Sequence, residues 1–393
     1  MGEWKNCTLS SLGTIVGGAT PSTKKPENYE GGEIPWITPK DLSGFSGRYI
    51  SCGERNITEI GLKSCSAQMM PKHSVLFSSR APIGYVAISD CDVCTNQGFK
   101  SIVPNKDTDY LFLYYLLLYK KHEIENLGSG TTFKEVSAST MKGIEVRVPI
   151  DKREQERIAG ILSALDDKIE SNAHINENLE QQISSIYANL CENKSWDSCE
   201  LGSLIEVRDG THDSPKPQSD GYLLVTSKHL LPYGVDRITP NRIAEKDFKK
   251  INERSLVEPG DVLMSMIGTI GLISFVADQT IDYAIKNVAL FKTSKTPELA
   301  YYFLTFLKSK KTQQYIEMCL AGSTQKYISL GELRKMPIPD PAVETLESFN
   351  KIVRPMYQTI ILNTQENNAF AELRDFLLPK LISGDLDISE IDI

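Results

Sequence analysis

Ten positions spaced alternately four and three apart confine the middle of this chain to one kind of structure. They are Ile158, Leu162, Leu165, Ile169, Asn172, Asn176, Leu179, Ile183, Ile186 and Leu190. Adding 191 to each gives Phe349, Val353, Met356, Ile360, Asn363, Asn367, Phe370, Arg374, Leu377 and Leu381. A heptad seam held over more than four heptads demands a partner helix along its whole length, so the two segments are expected to form a coiled coil. Asn172 and Asn176 flank the midpoint of the first seam. In an antiparallel pair Asn172 would face Asn367 and Asn176 would face Asn363, and these amides would fix the register, because a slipped pairing sets them against leucine. Pro149 before the first helix and Pro339-Asp340-Pro341 before the second mark boundaries. Pro379 is expected to end or kink the second helix.

The 191-residue shift extends beyond the helices. Thr38-Pro39-Lys40-Asp41-Leu42 recurs as Thr226-Ser227-Lys228-His229-Leu230 after 188 residues, and Val75-Leu76 with Ile83-Gly84 recurs as Val262-Leu263 with Ile270-Gly271 after 187. Gly130 to Lys134 recurs as Gly322 to Lys326 after 192, and Leu12-Gly13-Thr14 as Leu201-Gly202-Ser203. Conserved order with a drifting shift is the mark of a duplicated unit with loop insertions. The expected organisation is a first block over 1–150, a helix over 151–195, a second block over 196–339 and a helix over 340–393. Each block mixes strands, such as Val75-Leu76-Phe77-Ser78 and Val262-Leu263-Met264-Ser265, with helices at 110–122 and 297–315. The class is therefore α+β.

At 393 residues, 40% of them hydrophobic, the chain can bury cores without disulfide or metal staples. No apolar stretch reaches the length of a membrane span, and the polar Met1-Gly2-Glu3-Trp4-Lys5 start gives no expectation of a signal peptide. Eight scattered cysteines fit a reducing, cytoplasmic setting. Cys91 and Cys94 have zinc-knuckle spacing, but no second pair accompanies them, so no metal is expected. The net charge of −8 argues against nucleic-acid binding until it is mapped. Residues 151–195 carry 5 basic against 9 acidic residues and 340–393 carry 4 against 10, while 1–150 and 196–339 are each +1. The acid belongs to the helices, and each block is left able to present a basic face.

Catalytic signatures are missing. No Asn/Asp-Pro-Pro-aromatic methyltransferase motif and no Gly-x-Gly-x-x-Gly occurs, and Gly128 to Lys134 lacks the Gly-Lys-Ser/Thr ending of a phosphate loop. A duplicated active site should repeat its acid, base or nucleophile, yet Asp41 corresponds to His229, Arg80 to Ile267 and His73 to Gly260. The chain itself is therefore read as non-catalytic, with no catalytic residue and no cofactor of its own. What recurs is a set of polar loop residues suited to phosphates and base edges. The first set is Thr20, Ser22, Lys40, Arg80, Asn96, Gln97, Lys100, Thr131, Thr132 and Lys134. The second is Thr211, His212, Lys228, Lys286, Asn287, Ser323, Thr324, Gln325 and Lys326.

Two helix motifs sharpen this reading. Gln155-Glu156-Arg157-Ile158-Ala159 with Leu165-Asp166-Asp167-Lys168-Ile169, and Leu377-Leu378-Pro379-Lys380-Leu381-Ile382-Ser383-Gly384, each follow a variable block. In this the full chain resembles the specificity subunit of type I restriction-modification systems. The second helix departs from the pattern, with Thr345-Leu346-Glu347-Ser348-Phe349 where the first has its Gln-x-Arg-Ile-Ala run. The resemblance implies two pseudo-repeated α/β target-recognition domains separated by two long helices in an antiparallel coiled coil. Each domain would read one half of a split double-stranded DNA sequence. The seam of 33 residues, roughly 50 Å long, would set the gap between half-sites. It further implies two methyltransferase (modification) subunits, which bring S-adenosylmethionine, and two restriction (translocase/endonuclease) subunits, which use ATP and Mg. The alternative from the residues alone is a duplicated adaptor that binds protein or RNA.

Overall fold

The computed structural model describes residues 3–130, 134–192, 197–322 and 326–388. Two compact units emerge, one made of 1–171 with 367–393 and the other of 172–366. Both heptad segments are helices of 41 residues, Lys152–Glu192 and Val343–Ser383. Each unit therefore contains part of both helices. The second helix continues past Pro379 to Ser383. Proline removes one intrahelical hydrogen bond, but Leu381 and Ile382 are buried in the core of the first unit and hold the last turn in place.

In the first unit a five-stranded sheet runs in the order Gly13–Gly17, Lys100–Pro104, Val75–Ser79, Ile83–Ser89, Tyr49–Ile50. A three-stranded sheet follows the order Asn56–Ile57, Ile34–Ile37, Cys94–Thr95, with the last two parallel. Alternation along the strand at 75–79 sends Val75 and Phe77 to one face and Leu76 to the other. The first face packs on the helix Tyr110–Asn126 through Phe112, Tyr115 and Leu116, and on Ile158 and Leu162 of the first long helix. Leu76 joins Val16, Ile37, Ala87 and Phe99 in a separate core. The strands Trp4–Thr8 and Glu145–Pro149 pair antiparallel, so the two ends of this block close on each other.

The second unit repeats this plan. Its four-stranded sheet runs Val207–Asp209, Val288–Phe291, Val262–Ser265, Ile273–Phe275, and a three-stranded sheet again contains one parallel pair, Tyr222–Val225 with Tyr283–Ile285. Val262 and Met264 pack with Tyr302, Phe303 and Phe306, and with Ile183, Phe349, Val353 and Tyr357 of the long helices. Leu263 faces the other core with Val225, Ile285 and Leu290. Ser198–Glu200 pairs with Pro337–Pro339. The helix expected over 297–315 is instead two helices, Ala300–Lys308 and Lys310–Met318. Ser309 takes an extended conformation between them and its side chain accepts from the Thr312 N–H, which gives the second helix its own N-cap.

The helix motifs act as fasteners within their units. Gln155 is buried, donating from Nε2 to the Pro149 carbonyl at 3.0 Å and accepting at Oε1 from the Asp109 N–H at 3.0 Å. Asp166 accepts from the Tyr115 hydroxyl and, at 2.7 Å, from Arg374 Nη1. Buried Arg48 pairs with Asp167 and with Glu170 at 3.0 Å. Arg157 Nη2 donates to the Ile388 carbonyl at 2.8 Å.

The asparagines of the seam find polar partners in both units. Asn363 Nδ2 donates to Asn176 Oδ1 at 2.8 Å, and Asn172 Nδ2 to Glu366 Oε2 at 2.9 Å, in the second unit. Asn367 Nδ2 donates to the Ile169 carbonyl at 3.2 Å in the first. Replacing Asn363 by Leu alone leaves the Asn176 oxygen against hydrocarbon and should cost about 1 kcal/mol. Replacing both Asn176 and Asn363 by Leu should recover that loss while loosening register. Urea unfolding and cysteine crosslinking across neighbouring registers check this; a double variant as unstable as the single one, with one crosslink only, would refute it.

Candidate functional site

The duplication holds at the level of single hydrogen bonds. Ser78 Oγ donates to the Pro82 carbonyl and accepts from the Tyr85 N–H, both at 2.8 Å; Ser265 Oγ does the same with Thr269 at 2.5 Å and Leu272 at 2.8 Å. The Val136 N–H meets the Ser79 carbonyl at 3.0 Å, as that of Ile328 meets Met266 at 3.1 Å. Loops at equal places in the two sheets can therefore be compared residue by residue.

In the first unit four loops meet beside the parallel strand pair. Gly18 lies so close to the Thr95 and Asn96 carbonyls that a Cβ there would sit 2.1 Å from each, and the Ala19 N–H donates to Thr95. This close approach carries Thr20 to Gln97, where its hydroxyl donates to Oε1 at 2.5 Å. Both residues are exposed, so Thr20 fixes how the Gln97 amide is turned at the surface. Asn96 turns inward, its Oδ1 accepting from the Gly98 N–H at 2.8 Å. Pro39 packs over Gly98 and brings the exposed Lys40 alongside, although its ammonium is paired with Glu54 at 2.6 Å. Arg80 and Lys100 converge on Glu135 at 3.5 and 3.3 Å, through a bridge that joins Arg80 to Glu135. Ser22 is exposed in the turn after Pro21, its carbonyl accepting from Asn28. Lys134 is exposed at the edge of the Glu135 loop, while Thr131 and Thr132 lie outside the described residues.

The second unit repeats the approach with different side chains. A Cβ on Gly210 would sit 2.4 Å from the Ile285 carbonyl, and the Thr211 N–H donates to that carbonyl at 3.0 Å. His212 and Asn287 then stand where Thr20 and Gln97 stand in the first unit, with His212 Nδ1 2.7 Å from Asn287 Oδ1. Asn287 has a φ of +54°, a left-handed conformation that asparagine tolerates better than most residues. His212 Nε2 lies 3.0 Å from Asp209 Oδ2, and the other Asp209 oxygen is held by Arg254. Lys286 reaches the Ser214 hydroxyl, and Thr211 bridges to Lys286 through its backbone. Lys228 is exposed on the turn after Thr226. Lys326 is exposed; Ser323, Thr324 and Gln325 lie outside the described residues.

Sequence reading missed the residues that hold these side chains. Glu135 and Asp209 fix cations 35 to 55 positions away or a histidine in the same turn, and only the i, i+3 spacing of Asp209 and His212 offered a local signal. It also passed over His229. That residue is 3% exposed, and its Nδ1 accepts from the Thr226 N–H at 3.0 Å. Burial, with the Lys228 ammonium beside it, holds the imidazole below its ordinary range and so neutral near pH 7. Cys91 and Cys94 each point at a backbone carbonyl, Ser51 at 3.2 Å and Pro35 at 3.5 Å. Among the described residues no group of three or more His, Cys, Asp or Glu is placed to hold a metal, and no helix is long and apolar enough to cross a membrane.

The model of the type I restriction modification DNA specificity domain matches this chain twice, over residues 1–181 and 193–371. The MjaIX specificity subunit of Methanocaldococcus jannaschii is 33% identical over 99% of this chain and 95% of its own length. The EcoR124I/EcoR124II specificity subunit of Escherichia coli is 30% identical over 46% of this chain and 44% of its own. In fold, the crystal structure of a type I S subunit from M. genitalium superposes with a TM-score of 0.61 at 18% identity, covering 97% of this chain and 96% of that one.

Proposed function

Because this chain belongs to the family of type I restriction-modification specificity subunits, we propose that it reads a split target in double-stranded DNA, one half-site per repeated block. Residues 1–150 and 196–339 are the two readers, and the helices over 151–195 and 340–393 hold them apart. The observation that carries this reading is the pair of equivalent loop contacts, Thr20 with Gln97 and His212 with Asn287. One backbone scaffold presents an amide at the same place twice, exposed in Gln97 and half-buried in Asn287, with different neighbours. Such a pair suits two readers of different bases, since Gln and Asn amides pair bidentately with adenine edges and their partners set how the amide is turned. A duplicated enzyme would instead keep its reacting groups alike.

The chemistry lies on partners in this reading. Two methyltransferase (modification) subunits carry S-adenosylmethionine, and two restriction subunits use ATP and Mg, while this chain selects the site without catalysing, in the cytoplasm. The acidic surfaces of the helices suit protein partners better than phosphate. Lysines 134, 228, 286 and 326 grip the backbone, and Gln97, Asn287 and His212 approach the base edges.

Co-expression with a type I methyltransferase subunit, followed by genome-wide mapping of methylated adenines, tests the proposal. A split motif with a fixed unread gap is expected. Asn287→Ala should relax one position of the second half-site by about 1–3 kcal/mol of discrimination and leave the first unchanged, and Gln97→Ala should do the converse. A stable complex with no sequence preference would favour the protein- or RNA-binding adaptor, and one continuous motif would overturn the two-reader scheme.

A further inference from the structure

Two equivalent turns do the same backbone work with different side chains. In the first unit Asp41 Oδ2 accepts from the Thr38 N–H at 2.7 Å, and its Oδ1 accepts from the Glu54 N–H at 2.7 Å. A shift of 188 places Thr226 and His229 there in the second unit, and His229 Nδ1 takes over the cap. Asp41 ends with both oxygens satisfied. His229 does not: an imidazole that accepts at Nδ1 carries its proton on Nε2, and that buried nitrogen has no partner among the described residues. A buried donor left unpaired is costly, so an acceptor from outside the chain that reached it would be stabilising.

His229 lines a cleft of about 380 Å³ whose walls also bring Lys216, Lys228, Lys286, Ser214 and Thr226 together. No Asp or Glu is among the lining residues, and none of the three lysines forms an ion pair among the described residues. Lys286 is steered by the Ser214 hydroxyl rather than neutralised. In the first unit the matching lysine, Lys40, is paired with Glu54, and the Asp41 carboxylate stands at the place of the imidazole. A water would satisfy one N–H, but it gives no reason for three ammonium groups around it. Ammonium and imidazole donors with flanking hydroxyls match a tetrahedral oxyanion; the nearby Asp236 carboxylate, which also bears on His229, is tied to Thr239 and the Ile238 N–H and does not line the cleft.

We propose that this cleft is a phosphate site of the second unit alone, created where an imidazole replaced a capping carboxylate, and that it grips one backbone phosphate of bound DNA. The DNA part rests on the function proposed above. Lys286 is the neighbour of Asn287 in the chain, so a phosphate held here sets the register of the His212–Asn287 pair on the bases without itself carrying sequence information.

The test uses the full chain with its methyltransferase partner, as wild type, His229→Asp and Lys286→Gln. His229→Asp restores the cap that Asp41 makes and so should fold; if it does not, Lys286→Gln decides alone. Inorganic phosphate is titrated by calorimetry, and a duplex bearing the mapped target is titrated between about 50 and 200 mM salt. The wild type should bind phosphate and the variants should not. On DNA the variants should bind about tenfold more weakly or worse, with the slope of log affinity against log salt reduced by about one. Folded variants that keep the wild-type phosphate binding, DNA affinity and slope would overturn the site while leaving the two-reader scheme standing. If the wild type shows no sequence preference on any duplex, the DNA reading fails instead. Loss of phosphate binding in the variants would then uphold the site for free phosphate, and retained binding would overturn it.

Discussion

Inserting seven residues after Ser171 and seven after Glu366 should lengthen the unread gap by about three base pairs and change neither half-site. Seven helical residues add about 10 Å at 1.5 Å each, and a duplex rises about 3.4 Å per base pair. A full heptad keeps every downstream seam residue in phase. The insertion points also fall between the two compact units, so Arg374 with Asp166 and Asn176 with Asn363 keep their partners. On the original target only one reader at a time could then engage, and the loss of linked binding should reach about 100- to 10,000-fold. Titrating duplexes of graded gap length, together with adenine mapping, measures both effects. Altered half-sites, or an unchanged gap, would contradict the spacer role of the helices.

Lys292→Met should destabilise the second unit by about 3–5 kcal/mol. Lys292 is 2% exposed and Asp261 fully buried, and the ammonium uses its donors on Asp261 at 2.6 Å, Glu258 at 2.7 Å and the Leu256 carbonyl at 3.0 Å. Removing the lysine leaves a buried carboxylate without its counter-charge. The duplication supplies the control, because Ser74 stands at the place of Asp261 and meets the equivalent Pro71 carbonyl through both its N–H and its hydroxyl. A neutral residue therefore serves this turn, and Lys292→Met with Asp261→Ser should regain more than half of the loss. Urea midpoints of the single and double variants decide it. A single variant within about 1 kcal/mol of wild type would show that the pair is hydrated enough to be dispensable.

The fasteners Gln155, Asp166 and Arg157 explain why the helix motifs were readable. They lie on a regular helix whose period announces itself; Gln155 and Asp166 reach Pro149 and Tyr115 of the first block, and Arg157 reaches the Ile388 carbonyl after the second helix. The second helix lacks that motif because Leu346 and Phe349 enter an apolar core instead, while Asn350 ties to the Glu298 carbonyl at 2.6 Å. The single helix expected over 297–315 failed for a local reason. Apolar periodicity persists across Ser309, but a serine able to cap a new helix is a break that periodicity does not register.

From the sequence alone came the duplication, the α+β class, the two long helices and the loops worth inspecting, since each is written in a short-range period or in a shift between two stretches of one chain. Only the tertiary structure decided which loop side chains meet. Thr20 finds Gln97 across 77 positions and His212 finds Asn287 across 75. Sheet register brings them together, through the approach of Gly18 and Gly210 to the parallel strand pairs, and no local pattern encodes it. His229 makes the same point. As a residue type it matched Asp41 poorly and suggested nothing; once both were seen capping the same turn, the proton left on Nε2 set the two units apart.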